Sequence, residues 1–398
     1  MSAPSPTAPA WSNWSGGVRC EPREVLRPRD EDGIVRAVRR AAETGAVLRT
    51  TGSGHSFSPV VATDGVLVSL EEWTGVESVD AAARRATIRA GTRLSALGEP
   101  LRAHGLALAN QGDVDVQSLG GAIGTGTHGT GPTLGSLSTQ VVAVRLATAD
   151  GRVRTWGEGD GERLDAARVS LGLFGVAIAY TLQLVPAYRL HERTWRGGVE
   201  DAMARLDENV AAHRHYEFFW WPSRDLVEHK SLDPTELPVG ADVGRHQRVD
   251  WSDRVFPSVR DLRFEEMEYA VPAEAGPACF LEVRERMRSR HGSVEWPVEF
   301  RTLAADRSWI GPAGGRATVT ISLHQGADLP CEDFFRDCEP IFLAHGGRPH
   351  WGKRHFRDGA WAQAAYPSWE RFAALRRELD PHGAFLSKPL RPLFEPVA

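Results

Sequence analysis

The segment "QSLGGAIGTGTHGTGPTLGSLS", Gln117 to Ser138, places seven glycines in 22 residues. Glycine loses more conformational freedom on ordering than any other residue and brings no side chain to pack, so such a run sustains neither a long helix nor a central strand. It reads as a loop around which the rest of the chain is built, with amides free to approach a ligand. Gly124, Gly126 and Gly129 formally match G-x-G-x-x-G, with Asp150 further on. A dinucleotide fingerprint of that type needs a strand before it and an amphipathic helix after it. Here "TGPTLGSLS" follows as loop, and Asp150 with Gly151 makes the tight turn of a hairpin, "VVAVRLATADGRVRTW". The Rossmann fold is thereby excluded. What remains is a concavity of backbone amides suited to a pyrophosphate.

A second glycine loop, "TTGSGHSFSPVVATDG", spans Thr50 to Gly65 and sets His55 among Gly52, Ser53, Gly54 and Ser56. Before it stands "RDEDGIVRAVRRAAETG", an amphipathic helix in which Asp30 caps, Ile34, Val35, Val38, Ala41 and Ala42 form the apolar face, and Gly45 stops the helix. The strand "AVLRT" links them, and strands "GVLVSL" and "ATIRAG", a helix around "RLSALGEPLRAHG" and a short strand "LALAN" follow. At 398 residues the chain is too long for one core. The glycine-rich texture closes near Pro186, after "SLGLFGVAIAYTLQLVP", and gives way to a Trp-rich stretch with strands "EFFWWP", "VEWPVEFRTLAADRSWIGP" and "ATVTISLHQG". A first domain over 12–190, a second, substrate-facing domain over 191–349, and a C-terminal segment 350–398 returning to the first are expected. That segment carries the amphipathic helix "PSWERFAALRRELDPHGAFL".

The net charge of −5, with acidic and basic residues interspersed, gives no footprint for nucleic acid or an anionic membrane. "MSAPSPTAPAWSNWSGG" has neither basic nor apolar signal regions, and no run of 18 apolar residues occurs, so no membrane anchor is expected. Cys20, Cys279, Cys331 and Cys338 are too scattered for a disulfide framework, which fits the cytoplasm. The last two, seven apart in an expected helix, read as buried structural thiols.

Three further motifs bear on chemistry. "GRPHWGKR" fits G-x-x-x-x-G-K, but Arg354 stands where a Walker loop needs Ser or Thr, so an NTPase is excluded and His350 and Lys353 remain as acid, base or charge-holding candidates. In "VEFRTLAADRSW", Glu299 and Arg301 lie two apart on one face of a strand, either a solvated pair or, given Trp296, Phe300 and Trp309, a half-buried functional one. "HRHYE", His213 to Glu217, lacks the spacing of a metal site and reads as structural histidines; no metal is expected.

These pieces, together with "NQGDVDVQSLGGAIGTGTHGTG", "GGRPHWGK" and "LDPHGAF", follow in order the pattern of the aldonolactone oxidoreductases, which the chain resembles from about Trp14 to Leu390. That family, of the vanillyl-alcohol oxidase type, includes gulonolactone, arabinonolactone and alditol oxidases. The resemblance implies an α+β fold: a two-subdomain FAD-binding domain with an α+β cap. It implies FAD bonded covalently through His55, and contacts to the cofactor from Gly52, Ser53, Gly54, Ser56, Ser118, Gly121, Gly124, Gly126, Thr127, His128, Gly129 and Val176.

By the same resemblance Glu299, Arg301, Lys353 and His350 form the substrate pocket. Lys353 is then the partner of the substrate oxygen and a candidate base, Arg301 a cation serving flavin or substrate, and Glu299 the group that orients Arg301 and binds hydroxyls. The implied reaction oxidises a hydroxyl carbon of a sugar-derived 1,4-lactone, with oxygen or another electron acceptor. An alditol oxidase, yielding an aldose and hydrogen peroxide from a polyol, and a non-catalytic flavin or carbohydrate binder are the alternatives. Two positions depart from the family. The histidine that alditol oxidases lead one to expect near Ser322 comes at His324, and Ser387 and Pro389 replace the Asn and Tyr usual after "DPxGxF".

Overall fold

The computed structural model describes residues 10–258 and 261–395. Asp30 caps the helix Glu31–Thr44 by accepting from the Gly33 amide, and Gly45 ends it at φ +62°. Ile34, Ala37, Val38 and Ala41 are its buried face. Ala42, expected on that face, is exposed. Ala37 takes its place because 34, 37, 38 and 41 form the continuous i, i+3, i+4, i+7 stripe.

This helix connects two outer strands of a three-stranded parallel sheet, Glu24–Leu26 and Leu48–Thr51, which both pair with Val66–Ser69 between them. The central strand is buried throughout, as a parallel strand covered on both faces must be. The His55 loop leaves the carboxyl end of Leu48–Thr51, where ligands of parallel sheets collect. A five-stranded antiparallel sheet follows, ordered Val153–Gly157, Val141–Ala147, Val176–Gln183, Arg85–Arg89, Val76–Asp80. Its first pair is the expected hairpin, with Gly151 at φ +70°.

The glycine-rich segment departs from the expected loop. Its first part is a helix, Leu119–Thr125, with Leu119, Ala122 and Ile123 buried and Gly126 closing it at φ +82°. Three glycines in seven residues oppose a helix by propensity, but burial of the apolar positions and close approach to the sheet outweigh that weak preference. A Cβ on Gly120 would lie 3.1 Å from Ala90, so the glycine is what lets the helix lie there. The expected helix around Leu94 is likewise broken, into a 3-10 turn Leu94–Ala96 and a short helix Gly98–Arg102.

The remainder is dominated by one eight-stranded antiparallel sheet, ordered Gln247–Trp251, Arg189–Gly198, Leu226–Thr235, His215–Trp221, Val298–Leu303, Thr318–Gly326, Phe264–Pro272, Arg348–Pro349. Tyr216, Phe218, Val298, Phe300, Ile321, Leu323, Met267 and Tyr269 point to a face covered by the helices Gly276–Arg290 and Glu332–Ala344. The alternate residues carry charge and point to the opposite face. Phe218 stacks on Phe300 with centroids 4.7 Å apart, a cross-strand pair that fixes the register Phe218 to Phe300. Register therefore decides which side chains reach the site.

Two large cores result, one under the small sheets and one between the large sheet and its helices. Trp369 and Phe372 of the helix Trp369–Leu379, with Phe385 and Phe394, belong to the first core, as does Ile310. Arg49, 4% exposed, donates to the carbonyls of Val60, Leu171 and Phe385 and so ties the C-terminal segment to the parallel sheet. All four cysteines are free.

Candidate active site

A narrow cleft of about 110 Å³ opens where the two glycine segments meet. Gly52, Ser53, Gly54, His55 and Ser56 line one wall, and Ser118, Gly121 and Gly124 the other. A Cβ on Gly52 would sit 1.7 Å from Ser118 Oγ, so only glycine allows the walls to meet. A Cβ on Gly124 would touch nothing within 4 Å; a side chain there would occupy space in the cleft instead of packing. Among the described residues, the amides of Ser53, Gly54, His55 and Ser56 donate to no group of the chain. A row of free amides beside glycines is the donor set a pyrophosphate takes up.

His55 Nδ1 is buried and has no partner. Its ring meets Trp14 edge-on at 4.6 Å. Burial, reinforced by the Lys353 cation, lowers its pKa to about 4, so the imidazole is neutral and keeps a nucleophilic nitrogen. Free amides, a cleft that glycine keeps open and an orphan imidazole nitrogen suit a dinucleotide cofactor that carries an electrophilic ring carbon.

Other expected cofactor contacts lie elsewhere. Thr127 and His128 line a second cavity. Gly126 closes a helix, and Gly129 packs so closely that a Cβ would fall 2.3 Å from the Gln111 carbonyl. Val176 is core, while its neighbours Gly175 and Ala177 line the cleft.

The second cavity, about 660 Å³, lies against the charged face of the eight-stranded sheet and shares Gln117 with the cleft. Glu299, Arg301, His350 and Lys353 all line it. Glu299 and Arg301 are 4% and 8% exposed, which rules out a solvated surface pair. Arg301 donates to Glu299, donates through Nε to Glu217 at 2.9 Å, and has Asp113 at 3.6 Å. Lys230 bridges the same Glu217 and Asp113, at 2.9 and 3.1 Å. Burial opposes the charge on Arg301, but these carboxylates outweigh it and raise its pKa well above the usual value. Burial, with Glu217, Asp113 and Glu266 adding repulsion against the attraction of Arg301, pushes Glu299 up to about 8.

Lys353 and His350 are placed by the loop after Arg348–Pro349, and that loop is gripped by the strand Phe264–Pro272. The His350 amide donates to the Glu268 carbonyl at 3.0 Å and the Arg354 amide to the Glu266 carbonyl at 2.8 Å. Phe57 N donates to Gly352 O at 2.7 Å and Ser58 Oγ to Trp351 O, so the His55 loop is bonded to the Lys353 loop. Lys353 Nζ donates to Glu266 and lies 5.0 Å from the centre of the Phe57 ring. His128 bridges the Gly129 carbonyl and Glu268, each at 2.8 Å. Ser322 donates to the other Glu268 oxygen at 2.9 Å. Burial alone would raise Glu268; the facing His128, His350 and Lys353 bring it well below the ordinary range. Burial also lowers His350 to about 4, and its Nδ1 accepts from Gly352 N at 3.0 Å. His324 shares the cavity face with Ser322, donates through Nδ1 to Pro297 O at 2.8 Å, and has Nε2 3.6 Å from Glu266.

Sequence reasoning missed Asp113, Glu217, Lys230, Glu266 and Glu268. For the last two a signal existed: in "FEEMEYAVP" acids at 266 and 268 alternate with Met267, Tyr269 and Val271, the same two-residue spacing that drew attention to Glu299 and Arg301. Glu217 lay in a segment set aside as structural histidines. His213 and His215 of that segment are indeed held structurally, by Asp233 at 2.7 Å and the Thr130 carbonyl at 2.9 Å.

The glycine-lined cleft and the charged cavity share Gln117 against a broad antiparallel sheet, and comparison with known proteins assigns this arrangement to the FAD-dependent oxidoreductases of the vanillyl-alcohol oxidase type. The fold is that of cholesterol oxidase from B. sterolicum, with a TM-score of 0.86 at 18% identity over 99% of this chain and 100% of that one. Residues 22–157 match the FAD binding domain model, and 180–248 and 239–393 match that of D-arabinono-1,4-lactone oxidase. L-gulono-1,4-lactone dehydrogenase of Mycobacterium tuberculosis is 38% identical over 98% of this chain and 100% of its own. Alditol oxidase of a Streptomyces species is 31% identical over 97% and 99%. The chain belongs to the aldonolactone oxidoreductase family, and it is an FAD-linked enzyme acting on CH–OH groups.

Proposed function

We propose that the enzyme oxidises a hydroxyl carbon, C2, of a sugar-derived 1,4-lactone of the gulono- or arabinono-lactone kind. The observation that carries this is the set Glu299, Arg301 and Lys353, the first two buried, in a cavity that shares Gln117 with the His55 cleft. In this reading 12–190 with 350–398 holds FAD, and 191–349 caps it. The His55 loop and the Leu119–Thr125 helix hold the pyrophosphate, and His55 Nδ1 forms the covalent tether. Bound FAD supplies the hydride acceptor. Lys353 passes one ammonium proton to its carboxylate partner Glu266 and, as the amine so formed, receives the proton of the substrate hydroxyl. Arg301, held by Glu217 and Glu299, supplies fixed positive charge where negative charge develops. Glu299 keeps Arg301 in place and binds a neighbouring hydroxyl.

Oxidation of a terminal hydroxyl of a linear polyol is the second reading, supported by the alditol oxidase relative. Ser322 in place of a histidine, with His324 turned to Pro297, favours the lactone. The free thiols fit a reducing cytoplasm. No helix among the described residues is long and apolar enough to cross a membrane. Anaerobic addition of lactones and polyols to the purified holoenzyme tests the reading: lactones should bleach the flavin faster. Acid precipitation should leave the yellow colour with the protein; colour released to the supernatant would end the tether assigned to His55.

A further inference from the structure

We propose that the half of the cavity remote from Lys353 is a second sugar subsite, and that the preferred substrate is a 1,4-lactone glycosylated on its exocyclic side chain. This rests on the lactone reading above. The cavity is lined from His350, beyond one edge strand, to Arg248 on the opposite edge strand, so it crosses the whole eight-stranded sheet. At about 4.8 Å between strands the sheet beneath it is roughly 30 Å wide. A single lactone ring with its side chain reaches roughly 8 Å on bonds of about 1.5 Å, under two strand spacings.

The groups assigned to the reaction occupy the half of the sheet from Val298–Leu303 to the Arg348–Pro349 edge. Glu299 and Arg301 come from Val298–Leu303, and Glu266 and Lys353 from Phe264–Pro272, two strands further on, and the loop after Arg348–Pro349. The adjoining strand, where Phe219 stands opposite Glu299, has a different character. Phe219 and Trp221, two apart on the cavity face of His215–Trp221, are half-buried, and Trp296 joins them in the lining. Glu228, opposite Phe219, pairs with Arg196 at 2.8 Å, and towards the Gln247–Trp251 edge Glu192 pairs with Arg248 at 2.7 Å. Aromatic faces among fixed donors and acceptors suit a neutral polyhydroxylated ring: apolar C–H faces meet the rings, and hydroxyls meet the paired charges. An anionic or purely aliphatic extension lacks such a match. The cavity is also open beside Trp221. A groove of about 350 Å³ continues from it, sharing Trp221 and Glu295 and adding Ser223 and Arg224. With C2 at Lys353, the exocyclic carbons of the lactone are the part directed along this length.

The test is anaerobic stopped-flow reduction of the holoenzyme by gulono-1,4-lactone and by the same lactone carrying a glucosyl group on its terminal side-chain hydroxyl. The glucosylated lactone should have a kcat/KM at least tenfold higher, mainly through KM. In Trp221→Ala, or in Glu228→Gln if that variant does not fold, the ratio between the two lactones should fall towards one. Equal or lower kcat/KM for the glucosylated lactone, with the plain lactone active, overturns this inference and leaves the lactone reading standing. Reduction by polyols and by neither lactone overturns both. A preference for the glucosylated lactone that survives both substitutions also overturns it, because the second ring is then recognised elsewhere.

Discussion

Lys353 places its ammonium group where Glu266 holds it and Phe57 lies beneath it, in a loop fastened to the cofactor cleft. Methionine keeps the stem and removes the charge and the donors. Lys353→Met should therefore lower the rate of flavin reduction at saturating lactone by about 10²- to 10⁴-fold. Stopped-flow absorbance reads this directly, and wild-type reduction would remove Lys353 from the reaction. At this scale the sequence was informative wherever spacing carried meaning: Glu299 and Arg301 two apart on a strand, and His55 among glycines. It was silent on Asp113, Glu217 and Lys230, which come from separate segments and meet only when the strands are in register. It was also silent on which carboxylate would be raised, since the rise of Glu299 to about 8 comes from burial beside three other acids.

The helix Leu119–Thr125 shows how an element can oppose its own propensities. Gly124 lies within it and faces open cleft, so leucine there should favour the helix while filling the cofactor's space. Gly124→Leu should fold, by circular dichroism, with FAD occupancy reduced several-fold or more by the ratio of flavin to protein absorbance. Full occupancy would show that the cofactor does not pass this glycine. The helix Glu31–Thr44 was legible because its cap, stripe and stop all agree. The strands of the large sheet were legible from their alternation. Leu119–Thr125 was not, because what stabilises it is contact with a sheet made from residues 76–183, which no local window contains.

Over the whole molecule, burial keeps His215, His350 and His355 neutral, each lowered to about 4. The unfolded chain binds these protons near pH 6.5, so between 6.5 and 4 it holds more protons than the fold. Stability is therefore complete above pH 6.5 and is lost as the pH falls towards 4, by about 1.4 kcal/mol per unit for each histidine. The unfolding midpoint of the holoprotein should drop markedly from pH 7.5 to 4.5; a flat profile would mean that these histidines are charged in the fold. By itself the sequence determined the alternation of the strands and the family resemblance, which implied the cofactor, because these depend on the identity and spacing of residues close together in the chain. Tertiary structure alone decided that the charged face of the large sheet is buried, that the Lys353 loop is bonded to the His55 loop, and that the cavity runs the full width of the sheet. Those features depend on strand register and on segments hundreds of residues apart packing together, and long-range contact is what local pattern does not encode.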